Sequence, residues 1–168
     1  MPSPAAPERP TPGPDYIKVW FRFVPREGRL PYDTEGLWAT RLSEDTACVA
    51  NVPFLQDGVA EGETVRFATD AEGLHWATER VAPSGNCTIR VLAVPTGPLG
   101  RDPRAVHERF APFGMGGEVF SAELPLVAMT VPADADLARI KALLHHGRDE
   151  GWWHFEAGRV TDAWRNAG

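Results

Sequence analysis

The chain of 168 residues carries a formal net charge of −6, and 43% of its residues are hydrophobic. This composition supports a packed core in one large or two small domains and excludes wholesale disorder. Acidic and basic residues number 13 and 8 before Gly85, and 10 and 9 after it. Neither half therefore has the basic excess of a nucleic-acid-binding protein, which argues against nucleic acid as a partner.

No apolar run approaches the ~20 residues that a membrane span requires. The first residues also lack the basic and apolar segments of a secretory signal. The two cysteines, Cys48 and Cys87, have neither metal-ligand spacing nor the pattern of a disulfide framework. The sequence thus predicts a cytoplasmic protein with no membrane partner, no metal and no cofactor.

The first part of the chain predicts a disordered lead followed by a β-rich domain. Residues 1–14 are rich in Pro, Ala and Ser, which favours extended solvated chain. Alternation of apolar with polar or aromatic residues then predicts a first strand with one half-solvated face, and short β-rich segments bounded by turn residues follow it. The five predicted strands are 16–24, 35–42, 47–52, 64–69 and 74–81. Their close spacing predicts a small, partly open barrel or half-barrel, and we expect this domain to span residues 15–84.

The second part predicts a ferredoxin-like βαββαβ domain over residues 85–168, after a boundary at 83–85. The predicted order is a strand at 87–94, a helix from Pro103, strands at 119–123 and 126–131, a helix after Asp134 or Asp136, and a strand at 152–157. Asp102 before Pro103 is a helix start, and Gly151 is a helix stop. The tail near Trp164 is expected to form one short helix or strand. The predicted fold class is therefore α+β.

Four stretches of the sequence resemble a known family. They are "IKVWFRFVPREG", "EGLWATRL", "NVPFLQDGVAEGETV" and a junction of the form Ser-Gly-x-x-Thr-Ile-Arg-Val. Together they resemble a family of uncharacterised short bacterial proteins known as a domain of unknown function, over about residues 16–160. The resemblance implies a soluble intracellular protein and implies no activity.

His154 and Glu156 are the candidate catalytic residues. They lie two positions apart in a predicted strand, so both side chains point to the same face of the sheet. A carboxylate beside an imidazole orients the ring and raises its pKa, as general acid–base catalysis requires. The structural alternative is that this face packs between the two domains.

Aromatic residues beside an arginine are the candidate ligand-binding residues. Trp20 and Arg22 share one face of the first strand, and Trp38 is on the next strand. Such a group holds an anionic or planar ligand by stacking and a charged hydrogen bond. Trp152, on the predicted face of His154, is a further aromatic anchor. The structural alternative is aromatic packing on a sheet.

Three functions agree with this sequence. The first is a noncatalytic accessory protein that binds a small anionic molecule, a peptide or a protein partner in a cleft between the two domains. The second is a small cofactor-free enzyme that uses the His154 and Glu156 pair. The third is a homodimer or a component of a hetero-complex that pairs through sheet edges.

Overall fold

The computed structural model of the protein describes residues 15–25 and 31–168. Within these residues the chain forms a closed five-stranded barrel, then a four-stranded sheet with three α-helices. The predicted mixed α+β class and the barrel are therefore confirmed. The predicted lead, residues 1–14, lies outside the described residues.

The barrel contains five strands in sequential order. They are β1 (Tyr16–Arg22), β2 (Thr34–Arg41), β3 (Thr46–Val49), β4 (Thr64–Thr69) and β5 (His75–Ala82). Neighbours pair antiparallel, and β1 closes the barrel by pairing parallel with β5 at Val19 with His75 and Trp20 with Trp76. The expectation of a partly open barrel is thus corrected: this closing contact joins positions more than 50 residues apart, so local patterns do not reveal it.

Alternation along the strands decides which side chains fill the barrel. Val19 and Leu37 are fully buried, whereas their neighbours Lys18, Trp20 and Trp38 are half-buried on the outer surface. Side chains of successive strand residues point to opposite faces. The inward set makes a core of its own, and the outward set of β1 and β2 makes the half-solvated face predicted from the sequence.

The second sheet has the order β7-β8-β6-β9, and its neighbouring strands all pair antiparallel. Its strands are β6 (Cys87–Ala93), β7 (Gly117–Val119), β8 (Val127–Val131) and β9 (Trp153–Arg159). The helices are α1 (Pro103–Phe110), α2 (Leu137–Asp149) and α3 (Asp162–Asn166), with a 3-10 turn at Ala111–Phe113. A second core, including Phe110, Ile140, Leu144 and Trp153, lies between helices and sheet.

The helix signals in the sequence work as predicted. Asp102 accepts a hydrogen bond from the backbone N–H of Arg104, and Asp136 accepts one from Arg139. Gly151 follows α2 with a φ of +75°, a conformation that glycine adopts without steric cost. The tail forms α3, whose Trp164 is buried against the second core.

Several predicted strands differ in their bounds from the observed ones; the strand expected at 47–52, for example, ends at Val49. The strand expected at 119–123 is Gly117–Val119, because Ser121 and Leu124 make a tight turn in which the Ser121 hydroxyl accepts from the Leu124 N–H. The strand expected from Trp152 begins at Trp153, since the N–H of Trp152 still donates to the carbonyl of Gly147 at the end of α2.

Among the described residues, no helix combines the length and the apolar character that crossing a membrane requires.

Candidate functional site

A cleft of about 560 Å³ lies between the barrel and the four-stranded sheet. One wall comes from the end of β3 and the loop before β4, and the other from the loop before β7 and from β8. The lining residues are Val49, Ala50, Asn51, Val52, Glu61, Gly62, Asn86, Gly114, Gly116, Gly117, Glu118, Thr130 and Pro132. Its volume is within the range of small-molecule sites, and both units contribute to it.

Hydrogen bonds fix the two units across the base of this cleft. The Thr130 hydroxyl donates to Glu61 Oε2 at 2.9 Å. The Asn86 side chain donates to the Glu61 carbonyl at 2.8 Å and accepts from the backbone N–H of Ala133 at 3.1 Å. Asn86 therefore ties the loop that carries Glu61 to the end of β8, and the Glu61 carboxylate is held in place.

Glu118 supplies the second carboxylate of the cleft. In β7 the backbone of Gly117 lies against Met129 of the second core, where an added Cβ would be 2.8 Å from the Met129 side chain. Strand alternation therefore sends Glu118 to the opposite face, which is the face toward the barrel. No lysine or arginine is among the described residues that line the cleft. The cleft therefore favours cations and hydrogen-bond donors over anions.

A buried arginine lies deeper between the two units. Arg90 of β6 is 2% exposed, and its guanidinium donates to Asp57 Oδ1 at 2.7 Å and to Glu156 Oε1 at 3.2 Å. It also donates to the carbonyls of Pro53 and Gln56. The loop between β3 and β4 is thereby joined to the sheet, because a planar guanidinium can satisfy several acceptors at once.

The same loop is held from the barrel side by Glu35 of β2. Its carboxylate accepts backbone hydrogen bonds from Phe54, Leu55 and Gln56 at 2.8, 3.0 and 2.8 Å. Hydrogen bonds to an ionised acceptor are stronger than neutral ones. The loop that forms one wall of the cleft is thus held from two sides, by Glu35 of the barrel and by Arg90 of the sheet.

Glu63 is a second buried charge between the units. It is 1% exposed and accepts from Arg159 Nε at 2.9 Å, and Arg80 Nε lies 3.7 Å from its other oxygen. Arg159 belongs to β9 and Arg80 to β5, so the contact also joins the sheet to the barrel. The arrangement positions both units against each other next to the cleft.

A separate pocket of about 310 Å³ lies on the outside of the barrel. Its lining includes Tyr16, Lys18, Trp20, Trp38 and His75. The rings of Tyr16 and Trp38 are stacked, with centroids 5.2 Å apart. The Lys18 ammonium lies 5.0 Å from the Trp20 centroid and 5.4 Å from that of Trp38.

His75 at this pocket has a shifted pKa. Burial lowers the pKa of His75, and the positive charge of Arg41 lowers it further, while Asp70 acts in the opposite direction. The ring also shares a 2.7 Å hydrogen bond with the Thr69 hydroxyl and packs edge-on against Phe67. The folded protein therefore favours the neutral form of His75.

The shift at His75 predicts a pH dependence of stability. As the pH falls below about 6.5, the unfolded chain binds a proton at this histidine more readily than the folded protein does, so folding is disfavoured as the pH falls. We expect the free energy of unfolding to decrease more between pH 7.5 and 5.5 in the wild type than in His75→Gln. Urea denaturation at the two pH values measures this difference, and an equal decrease in both proteins would contradict it.

The structure brings part of the predicted ligand-binding set together. Trp20 and Trp38 both line the pocket on the barrel, and Arg22 lies next to it with its guanidinium 4.0 Å from the Trp76 centroid. Trp152 is far from this group in the fold. Its ring centroid lies 5.1 Å from that of His146 in α2 and 4.5 Å from the guanidinium carbon of Arg109 in α1. Trp152 therefore faces the helices, and the expectation that it shares a face with His154 is wrong.

The structure places the predicted catalytic residues on the sheet face toward the barrel. His154 and Glu156 are both in β9, opposite Leu92 and Arg90. The Glu156 carboxylate contacts the Arg90 guanidinium. His154 is exposed, and its ring makes no hydrogen bond within the part of the chain that the structure describes. The expected imidazole–carboxylate pair is therefore not formed by a hydrogen bond here.

Sequence reasoning missed Glu61, Glu118 and Arg90. Arg90 had a detectable signal, because a single charge within the apolar strand Cys87–Ala93 indicates a buried charge that needs partners. Glu61 and Glu118 had none. They belong to different units more than 50 positions apart, and only the packing of those units makes them neighbours of one cleft.

Comparisons with known proteins give one family model and one similar solved structure for this chain. The model of a domain of unknown function, DUF4265, matches residues 35–155. The chain is also similar to a hypothetical protein from Neisseria gonorrhoeae of known crystal structure, with a TM-score of 0.66 and 13% identity over 85% of this chain and 94% of that one. At this identity the likeness shows the fold alone. No curated protein matches the chain.

Proposed function

The chain belongs to the DUF4265 family, a domain of unknown function, and we propose that it is a noncatalytic binding protein whose ligand occupies the cleft between its two units. The observation that supports this most is the cleft itself, which has about 560 Å³ and walls from both units. Beside the cleft, the ion pairs of Arg90 with Asp57 and Glu156, and of Arg159 with Glu63, hold the two units in position. A preformed site loses little free energy to ordering when a ligand binds.

The charge of the cleft selects the chemistry of its ligand. Glu61 and Glu118 bring two carboxyl groups to the cleft, and no basic side chain among the described residues lines it to balance them. An anion would be repelled, so a small anionic molecule does not suit this cleft. A guanidinium or ammonium group suits it, and the basic side chain of a peptide or protein partner supplies one.

The contacts of the predicted catalytic pair support binding over catalysis. The Glu156 carboxylate contacts the Arg90 guanidinium at 3.2 Å, so it is used in an ion pair between strands. His154 is exposed on the same strand. The alternative function, a small cofactor-free enzyme, would need Glu156 to contact the His154 ring instead of Arg90.

The domain assignments are part of this proposal. We assign the second unit to the ferredoxin-like class, supported by the element order β-α-β-β-α-β and the strand order β7-β8-β6-β9. Residues 15–84 and 85–168 are proposed as two domains, each with its own apolar core. We also propose a cytoplasmic location, supported by the free thiols of Cys48 and Cys87.

We expect Nα-acetylarginine amide to bind the wild-type protein and Glu118→Gln to weaken that binding about tenfold. The reason is that a charge-assisted hydrogen bond contributes roughly 1.5–3 kcal/mol. Isothermal titration calorimetry measures the affinity, with Nα-acetylglutamine amide as the uncharged comparison. Glu61→Gln should weaken binding similarly, because it removes the other carboxylate of the cleft. Glutamine still accepts the hydrogen bond from Thr130, so the contact between the units is kept.

Glu108→Gln is the matched control for this experiment. Glu108 is exposed on α1 and does not line the cleft, so its replacement removes the same charge from the protein without changing the site. The proposal is contradicted if the wild type binds neither compound in the millimolar range. It is also contradicted if Glu118→Gln and Glu61→Gln bind the arginine compound as tightly as the Glu108→Gln control does.

A further inference from the structure

We propose that the outer face of the barrel is a second binding site, which takes a planar ring carrying an anionic group, as in a nucleoside monophosphate. The site is the aromatic–cationic face, formed by six side chains of β1, β2 and β5: Tyr16, Lys18, Trp20, Arg22, Trp38 and Trp76. It is independent of the cleft, because none of these side chains lines the cleft.

The strand register puts the aromatic rings in one continuous surface. Trp20 of β1 pairs with Trp76 of β5, and Lys18 pairs with Trp38 of β2. The centroids of Trp20 and Trp76 are 6.4 Å apart. Both indoles and that of Trp38 are half-buried, so each ring leaves part of its surface to solvent. Half-exposed aromatic rings on a sheet are stacking platforms for planar ligands.

Two cations, Lys18 and Arg22, lie on this surface. Lys18 rests between two indoles, and Arg22 lies over the ring of Trp76 at 4.0 Å. Neither forms an ion pair with any described residue, whereas Arg66 on the same barrel pairs with Asp45 and Glu79. In a chain with a net charge of −6, these two cations have no ion-pair partner among the described acidic residues, including Asp70, whose carboxylate accepts from the Trp76 indole at 2.9 Å. An anionic group would complete their pairing.

A glycine at the centre of the face shapes the site. Gly36 of β2 pairs with Trp20, and a Cβ at this position would overlap the Lys18 side chain and lie 3.1 Å from the Trp20 ring. Because Gly36 has no side chain, the aliphatic part of Lys18 can lie across β2 at this point. The Lys18 ammonium then lies between the rings of Trp20 and Trp38. Any larger residue would push the ammonium out toward solvent.

The pocket at this face is the size of a small-molecule site. Its volume of about 310 Å³ is at the lower end for small-molecule sites. The indole N–H of Trp38 is buried and has no hydrogen-bond acceptor among the described residues. The ring of Trp38 is therefore held by packing and by its stacking on Tyr16.

The test is calorimetric titration of the wild type with adenosine 5′-monophosphate, adenosine and inorganic phosphate. We expect the monophosphate to bind at least about tenfold more tightly than either of the others, because it combines stacking with a charged contact. Inorganic phosphate binding as tightly as the monophosphate would show a simple anion site and overturn the proposal. Adenosine binding as tightly as the monophosphate would show that Lys18 and Arg22 do not contribute to binding, and would also overturn the proposal.

Three variants connect the binding to the face. Lys18→Gln should weaken the monophosphate about tenfold and leave adenosine unchanged. Trp38→Leu should weaken both. Arg109→Gln is the matched control, because Arg109 also lies over an indole, that of Trp152, but in the other unit. It should change neither affinity.

The outcomes also separate this site from the cleft. Glu118→Gln should leave monophosphate binding unchanged, and Lys18→Gln should leave the binding of Nα-acetylarginine amide unchanged. The proposal is overturned if the monophosphate does not bind at millimolar concentration, or if Lys18→Gln binds it as tightly as the wild type. Because Lys18 is on the surface, that variant tests the site even if Trp38→Leu fails to fold.

Discussion

Replacing Arg90 with methionine is expected to lower the free energy of unfolding by about 3 kcal/mol, because removing one partner of a buried ionic network leaves the others unpaired. Arg90 is 2% exposed and donates to two carboxylates and two carbonyls. Asp57 and Glu156 keep 37% and 24% of their side-chain surface exposed. Water therefore takes over part of the lost interaction, which places the cost at the lower end for buried pairs.

Urea denaturation measures this effect, and Arg66→Met is its control. Arg66 also contacts two carboxylates, Asp45 and Glu79, but all three side chains are more than 40% exposed. Exposed pairs contribute little to stability, so this variant should unfold at the wild-type urea concentration within error. Equal effects of the two substitutions would show that the burial of Arg90 does not matter.

Arg90→Lys should recover little of the lost stability. A lysine ammonium is a compact charge and cannot reproduce the fork that reaches Asp57 and the two loop carbonyls together. Gly158 adds to this constraint, since an added Cβ there would lie 2.8 Å from the Arg90 guanidinium. The site thus has space for a flat guanidinium and little else, and the loss in Arg90→Met should extend to binding in the cleft.

Replacing Trp153 with alanine is expected to lower the free energy of unfolding by about 3–5 kcal/mol, the cost of truncating a large buried aromatic residue. Trp153 is fully buried in the second core, and its ring centroid lies 5.4 Å from that of Phe110. Its indole N–H donates to the carbonyl of Leu144 at 3.0 Å. Trp152→Ala is the neighbouring control. Trp152 is half-buried, so its loss should cost clearly less.

A double-mutant cycle with Gly147 isolates the packing of this tryptophan. A methyl group at Gly147 would overlap the Trp153 indole, so Gly147→Ala should destabilise the wild type by roughly 1–3 kcal/mol. In a Trp153→Leu background the overlap is gone, and alanine should stabilise the helix by about 1 kcal/mol relative to glycine. The same destabilisation in both backgrounds would mean that Trp153 is not what requires glycine at this position.

Local patterns in the sequence predicted the elements of this protein well. Alternation along β1 identified both its buried and its half-solvated face, as Val19 and Lys18 show. Asp102 and Asp136 marked the two helix starts, because a side-chain acceptor before the first turn satisfies a free N–H. These signals are local: each depends on residues within one turn or one strand.

The errors in the prediction lie where a local pattern meets a tertiary contact. Trp152 fits the alternation of β9, yet its backbone still bonds to the end of α2, which turns its ring toward His146. Glu156 stands two residues from His154, yet it contacts Arg90 of the neighbouring strand. In both cases a partner distant in sequence decides the outcome.

The sequence by itself determined the order and the type of the elements, and it placed Trp20 and Trp38 on adjacent strands of one outer face. Only the tertiary structure decided that the barrel closes, that Arg90 joins the two units and that Glu61 and Glu118 border one cleft. The physical reason is that periodicity and capping report on the nearest few residues. Closure, charge burial and a cleft instead depend on which distant surfaces come into contact and exclude water between them.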